Sequence, residues 1–196
     1  MRKIVFIIVC MLSVMLHAQH IKSDRIERNG SHQITTTSKT VRIDYEKYLF
    51  CMKIRERGDK VEWFLLIGSF TQLPPTAFAM LQLYDEEVVL LAHKKTNKGK
   101  YWCQNHIRID DHQTIVKYND QDCYTSIYEI TPYQMDLIKE HGIKNVTFAF
   151  GDYRKTKTFT KNQLGKFLNG CRKKLQWRLD HPLDEFDIVD KRQKEY

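Results

Sequence analysis

The chain has 196 residues, of which 42% are hydrophobic and 29% charged, with 32 lysines and arginines against 24 acidic residues. This apolar content excludes a wholly disordered chain, and the length is sufficient for one domain with a substantial buried core. The excess of positive charge favours anionic partners in general but selects none of them.

Residues 1–18 have the pattern of a secretory signal peptide. Met1-Arg2-Lys3 is a short basic start, residues 4–16 are almost continuously apolar, and cleavage is expected near Ala18. The apolar run is shorter than the roughly 20 residues that a membrane-spanning helix needs. We therefore predict a periplasmic or secreted protein with no transmembrane span in the mature chain.

After the signal peptide, composition divides the chain into three parts. Residues 19–40 are predicted to be a polar N-terminal arm, in which Asn29-Gly30 marks a turn and residues 33–37 form a short strand. Residues 41–180 are predicted to form a single domain. Residues 181–196 are predicted to be a charged C-terminal tail.

Apolar residues alternate with other residues through several segments of the domain, which is the pattern of β-strands. Gly58-Asp59 is predicted to turn a first hairpin and residues 85–87 a second. Together the patterns predict at least six strands, over residues 48–54, 61–67, 78–84, 88–93, 123–130 and 146–150, with one or two weaker strands over 101–109 and 114–118.

Two segments have helical signals. Thr131 and Gln134 match a capping box, and Gly142 is a suitable end for that helix. Thr160 and Gln163 match a second capping box. The apolar stripe of a longer helix follows, at Leu164, Phe167, Leu168, Cys171 and Leu175, which points Cys171 toward the core. The fold class predicted is α+β, a mostly antiparallel sheet covered by a short helix and a longer C-terminal amphipathic helix.

Four cysteines lie outside the signal peptide, and they are Cys51, Cys103, Cys123 and Cys171. An even number in an exported chain allows two disulfides, in any of three pairings. No Cys-x-x-Cys pair is present, so neither a thioredoxin-like site nor a zinc ribbon is indicated. The alternative is that some of the four are buried free thiols.

Four segments resemble a family of small uncharacterised secreted proteins of gut Bacteroidota. They are residues 24–34 (DRIERNGSHQI), 124–128 (YTSIY), 141–144 (HGIK) and 164–167 (LGKF) with Cys171. The resemblance implies export and a shared fold, and it transfers no catalytic residue.

Two further motifs have a simple structural interpretation. Arg57-Gly58-Asp59 matches the tripeptide that integrins read, but Gly-Asp is also ordinary turn chemistry. Asp110-Asp111-His112 places carboxylates beside an imidazole, but consecutive strand residues point to opposite faces, so a polar turn is the better interpretation.

The sharpest local feature is on the predicted C-terminal helix, where Lys166, Lys173 and Trp177 fall together opposite the apolar stripe. A tryptophan on a basic face could stack on a sugar ring or lie at a lipid interface. Lys173 is positioned for a cation–π contact with it. The alternative is that Trp177 packs against the apolar residues of the tail. A nucleic-acid platform is not favoured, because it would need several exposed aromatic residues among the basic ones.

These observations lead to one functional prediction with two alternatives. The prediction is an exported, non-catalytic binding or structural module whose partner is a protein or an envelope glycan, with no catalytic residues, metal or other cofactor assigned. One alternative is a small exported hydrolase whose separated catalytic residues the sequence does not reveal. The other is a polyanion or glycan binder that uses the basic C-terminal helix.

Overall fold

The structure, a computed structural model, describes residues 20–27, 29–71, 78–108, 114–150 and 152–182, with the backbone alone for residues 101–121, 150 and 153. Within these residues the chain forms ten strands and two helices. They are β1 (Ile21–Ile26), β2 (His32–Thr36), β3 (Lys39–Ile43), β4 (Glu46–Arg57), β5 (Lys60–Ser69), β6 (Phe78–Leu83), β7 (Val88–Arg108), β8 (Thr114–Glu129), α1 (Pro132–His141), β9 (Ile143–Phe150), β10 (Tyr153–Thr158) and α2 (Gln163–Asp180).

All of the strands belong to one sheet, in the order β1-β2-β4-β5-β8-β7-β6-β9-β10, and β3 pairs with β4 beyond the end of β2. Every ladder is antiparallel. The predicted α+β class is therefore confirmed, with the longer helix at the C-terminal end of the domain.

The sheet curls strongly, so that strands distant in its order face each other. The ring of Phe148 on β9 stacks on that of Tyr48 on β4, with centroids 4.9 Å apart. At the seam between β10 and β4, Lys155 Nζ lies 2.8 Å from Glu46 Oε1. The curled sheet therefore encloses an apolar interior, and a charged pair bridges its open seam.

The start and end of α1 match the sequence prediction. Thr131 Oγ1 accepts from the Gln134 backbone N–H at 3.1 Å, and the Gln134 side chain accepts from the Thr131 N–H at 2.9 Å. Gly142 ends the helix with φ +72°, a backbone conformation that glycine adopts without strain, and its N–H bonds to Ile138.

The start of α2 differs from the prediction of a Thr160 capping box. The N-cap is Asn162, and its side chain makes no capping bond to the helix. Instead, Asn162 Oδ1 accepts the backbone N–H of Ile143 at 3.0 Å, so the carboxamide joins the start of α2 to the start of β9. The predicted apolar stripe is confirmed, because all five of its residues, including Cys171, are buried.

The predicted N-terminal arm differs more, because residues 19–40 contribute β1, β2 and the beginning of β3. Ile34 is fully buried, and Thr36 Oγ1 accepts the backbone N–H of Met52 at 3.1 Å. The segment supplies few apolar side chains, yet its backbone belongs to the sheet, because β2 and β3 pair with β4 and β1 pairs with β2.

The weak strands predicted around residues 101–118 are parts of two long ones. β7 runs for 21 residues and β8 for 16, and the two pair continuously as far as Arg108 and Thr114. β8 pairs with β5 only from Tyr124 onward, and β7 pairs with β6 only up to Leu91. Over the described residues, the outer part from Gly99 to Arg108 is thus a two-stranded ribbon about 33 Å long.

Candidate binding surface

The outer face of β6 and β7 presents large apolar side chains to solvent. Phe78, Val88 and Leu90 are 52%, 57% and 51% exposed, and Met80 is half-buried beside them. Their strand neighbours Ala79, Leu81, Val89 and Leu91 fill the core on the other face. We call Phe78, Met80, Val88 and Leu90 the β6–β7 patch.

The register of the two strands makes the patch contiguous. Met80 lies directly opposite Leu90, and Val88 lies opposite Gln82. On the β9 side the neighbours are polar, since Thr147 pairs with Met80 and bonds through its hydroxyl to Thr156 at 2.9 Å. The patch is therefore an apolar strip two strands wide with a polar border.

Helix α1 begins at the opposite border of the patch. Gln134 Nε2 donates to the backbone oxygen of Leu90 at 3.2 Å, because β8 has already ended at the level of Ala92 and leaves that carbonyl without a strand partner. This bond places the first turn of α1 beside the patch. Tyr133, in that turn, is 69% exposed.

Opposite charges mark the two ends of the patch along the strands. The turn between β6 and β7 is Asp85-Glu86-Glu87, in which the first two residues are paired within the chain, with His141 and Lys144, and Glu87 is exposed. At the other end Lys94 is paired with Glu129, and Lys95, which follows a bulge in the strand, is exposed. Such a surface, apolar at its centre and charged at its rim, has the composition of a protein-binding site.

The patch was not identified from the sequence. Residues 78–83 and 88–92 are apolar at nearly every position, which indicates strands covered on both faces. This hairpin differs in its tertiary surroundings. Neither helix of the described chain covers its outer face, apart from the first turn of α1.

Among the cysteines whose side chains are described, Cys51, Cys123 and Cys171 are free thiols, so the disulfides that the sequence allows are not formed between them. Cys171 is buried and Cys51 is half-buried, and desolvation raises the pKa of each to about 11. A Cys103–Cys123 bridge does not fit the register, since Cys103 pairs with Asn119 and Cys123 with Gly99. That offset of four residues is about 13 Å, beyond the reach of a disulfide.

A buried ionic cluster that the sequence analysis missed joins β1, β2, β4 and α2. His32 Nε2 lies 2.5 Å from Asp24 Oδ1, and Arg178 Nε donates to Asp24 Oδ2 at 2.6 Å. The other imidazole nitrogen, Nδ1, lies 3.3 Å from Glu56 Oε2. The side chains of Asp24 and Arg178 are only 6% and 11% exposed.

Both nitrogens of His32 are therefore occupied, which removes it as a general base unless one contact breaks. Within the part of the chain that the structure describes, no group of three or more histidine, cysteine or acidic side chains is arranged to hold a metal ion. No sequence signal would have found the cluster, because its members lie on four elements separated by up to 154 residues.

The three residues predicted to form a binding face on α2 are all exposed. Lys166 and Lys173 point to solvent, and Trp177 is 53% exposed. The indole ring stacks on His181, with centroids 4.8 Å apart and an interplanar angle of 16°. Trp177 thus pairs with the imidazole that follows the helix.

Arg57-Gly58-Asp59 lies at the tip of the β4–β5 hairpin, where Gly58 has φ +57° as the turn requires. The Asp110-Asp111-His112 motif lies outside the described residues.

Neither helix that the structure describes is both long enough and apolar enough to cross a membrane. No protein-family model, curated protein or solved structure matches the chain.

Proposed function

We propose that the protein is exported and acts as a non-catalytic module that binds another protein through the β6–β7 patch. The observation that carries the proposal is the exposure of Phe78, Val88 and Leu90, each more than half accessible, on two paired strands. A contiguous apolar patch on a protein surface is often functional, because covering it is worth about 25 cal/mol per Å².

The chemistry of the other candidate groups favours binding over catalysis. Burial raises the pKa of Cys51 and of Cys171 to about 11, so neither thiol supplies a thiolate near neutral pH. His32 is held at both nitrogens by carboxylates. A hydrolase would require a base within hydrogen-bond reach of a nucleophile, and these three side chains do not form such a pair. His93 Nε2 does lie 2.9 Å from Thr96 Oγ1, and that hydroxyl also contacts Ser126 Oγ at 3.0 Å.

Photo-crosslinking in cells that produce the protein tests the proposal. A benzophenone amino acid placed at Val88 is expected to form adducts heavier than the monomer. The matched control is the same substitution at Val61, which is also an exposed strand valine, at 37%, but lies near the β4–β5 turn. Absence of adducts at Val88, or equal adducts at both positions, would contradict the proposal.

Export is the second part of the proposal, and it rests on residues 1–18. The intact mass of the protein from the envelope fraction is expected to match a chain that begins near Gln19. A full-length mass, or one increased by a lipid, would contradict it.

The α2 face supports a second candidate function, the binding of an acidic glycan. Trp177 and His181 offer two stacked rings beside the exposed Lys173. Retention on a sulfated polysaccharide column is then expected to fall steeply with added salt and to weaken in Trp177→Ala. Retention that is independent of salt, or unchanged in that variant, would remove this candidate.

A further inference from the structure

We infer that the partner of the β6–β7 patch is a second copy of this chain, bound face to face across a two-fold axis. This inference rests on the proposed function, since it specifies which protein the patch binds. The axis lies in the interface, perpendicular to the strands, at the level of Met80 and Leu90. The patch is then self-complementary in polarity and in charge.

The charge pattern along the strands carries the argument. A two-fold axis in this orientation lays β7 of one copy over β7 of the other in the opposite direction. Glu87 lies three residues before Leu90, and Lys95 lies five residues after it, one of which is absorbed by the bulge between His93 and Lys95. Glu87 of each copy therefore meets Lys95 of the other at nearly equal distances from the axis, whereas Asp85, Glu86 and Lys94 are paired within their own chain.

The alternative orientations do not have this property. An axis parallel to the strands would place the acidic turn of one copy against the acidic turn of the other. Like charges facing each other across an interface oppose association. The charge distribution therefore favours the axis perpendicular to the strands, which makes β7 of the two copies antiparallel.

The apolar centre supplies the attraction between the copies. Phe78, Val88 and Leu90 are each about half exposed, and Tyr133 is 69% exposed at the border. Patches of this kind cover about 300–600 Å², whereas a standard interface buries about 800 Å² on each partner. The charged ends and the polar border must supply the rest of the buried area. We therefore expect a dimer that dissociates in the micromolar range.

Sedimentation equilibrium of the purified protein across the micromolar range tests the inference. The wild-type chain is expected to show a monomer–dimer equilibrium. Leu90→Thr and, separately, Val88→Thr are expected to raise the dissociation constant by about tenfold or more. Threonine suits an exposed strand position, and Val61→Thr is the matched control, expected to leave the dissociation constant unchanged.

Charge reversal provides the sharper test, because two-fold symmetry places the Glu87–Lys95 pair in the interface twice. Glu87→Lys and Lys95→Glu are each expected to weaken the dimer by about threefold. The double variant, in which both ends are reversed, is expected to recover the affinity of the wild-type chain. Circular dichroism of each variant verifies that it is folded before its affinity is compared.

A protein that stays monomeric throughout this range, a dimer unaffected by Leu90→Thr and Val88→Thr, or a double variant weaker than either single one would overturn the inference. The crosslinking experiment separates this failure from that of the proposed function. Adducts at Val88 of twice the chain mass support the inference. Adducts with other proteins alone would support the proposed function and contradict the homodimer.

Discussion

The chemistry of the buried thiols is set by packing rather than by any neighbouring charge. Cys51 lies on β4 and Cys171 on the buried face of α2, and desolvation is the largest cause of the raised pKa of each. A thiol in apolar surroundings packs as a small hydrophobic group and stays protonated. These two cysteines are therefore structural in the folded chain.

We predict that Cys51 and Cys171 react slowly with iodoacetamide in the native protein at pH 8. With a pKa of about 11 their thiolate fraction is lower by about two orders of magnitude than that of a free cysteine, and burial slows access further. Peptide mass spectrometry after timed alkylation measures each site. The urea-unfolded chain is the control, and native labelling of either cysteine at the unfolded rate would contradict the prediction.

Asp24 is a second residue whose role is decided by burial. It accepts a hydrogen bond from Arg178 and contacts His32, so its removal would leave a guanidinium buried without its partner carboxylate. Breaking a buried pair in this way costs about 3–5 kcal/mol.

We expect Asp24→Asn to lower the free energy of unfolding in urea by about 3 kcal/mol. Asp59→Asn, at the exposed β4–β5 turn, is the matched control and should change it by less than about 0.5 kcal/mol. Adding Arg178→Met to Asp24→Asn should cost less than the sum of the single changes, because the uncompensated charge is then gone. Equal effects of the two aspartate variants would be inconsistent with a buried pair.

At the scale of the elements, the close contact between β9 and the start of α2 depends on Gly165, which has no side chain. A Cβ at Gly165 would overlap the Asn162 carboxamide and approach the backbone nitrogen of Ile143 at 3.1 Å. Asn162 has little freedom to move away, because its oxygen already accepts the N–H of Ile143. Close approach of helix and strand therefore requires glycine here.

Gly165→Ala is accordingly expected to destabilise the protein by at least about 1 kcal/mol in urea unfolding, the reverse of what helix propensity predicts. Lys173→Ala, at an exposed position of the same helix, should change stability by less than about 0.5 kcal/mol. In an Asn162→Ala background the cost of Gly165→Ala should fall, because one of the overlapping groups is removed. A stabilising effect of Gly165→Ala would show that helix and strand have room to adjust.

The elements also show where local patterns were sufficient. The capping box at Thr131 and the stripe from Leu164 to Leu175 were predicted correctly, because backbone bonds and side-chain spacing within one helix determine both. The Thr160 capping box is not formed because the helix begins two residues later, with Asn162 as its N-cap, and the side chain of Asn162 bonds to Ile143, 19 positions away. β1 was missed because a short polar strand is recognisable only from the strand that it pairs with.

At the scale of the whole molecule, closing the curled sheet brings Glu46 and Lys155 together. The hydrogen bond from Lys155 is the largest cause that lowers the pKa of the Glu46 carboxyl below 4.5, and the bond from Tyr48 adds to it. A carboxyl whose pKa is lowered by folding stabilises the fold above its unfolded pKa, and that contribution is lost as the pH falls through the folded pKa. The seam should therefore weaken in acid.

We predict that Glu46→Gln lowers the hydrogen-exchange protection of the β10 amides at pH 7 and that the difference from the wild-type chain disappears as the pH falls through the lowered pKa of Glu46. Below its folded pKa the wild-type carboxyl is protonated and no longer attracts Lys155, so the two proteins become equivalent. Amides of β5, far from the seam, serve as the internal reference. A difference that persists unchanged in acid would show that the ion pair does not hold the seam.

The sequence by itself determined the α+β class, the hairpins and the two amphipathic helices, because each depends on spacing and turn chemistry over fewer than twenty residues. Tertiary structure alone decided the candidate binding surface, the Asp24–His32–Arg178 cluster and the free state of Cys51, Cys123 and Cys171. A nearly continuous apolar run shows that a strand has two apolar faces. Only the curl of the sheet and the positions of the helices decide which of those faces is covered and which is left to a partner.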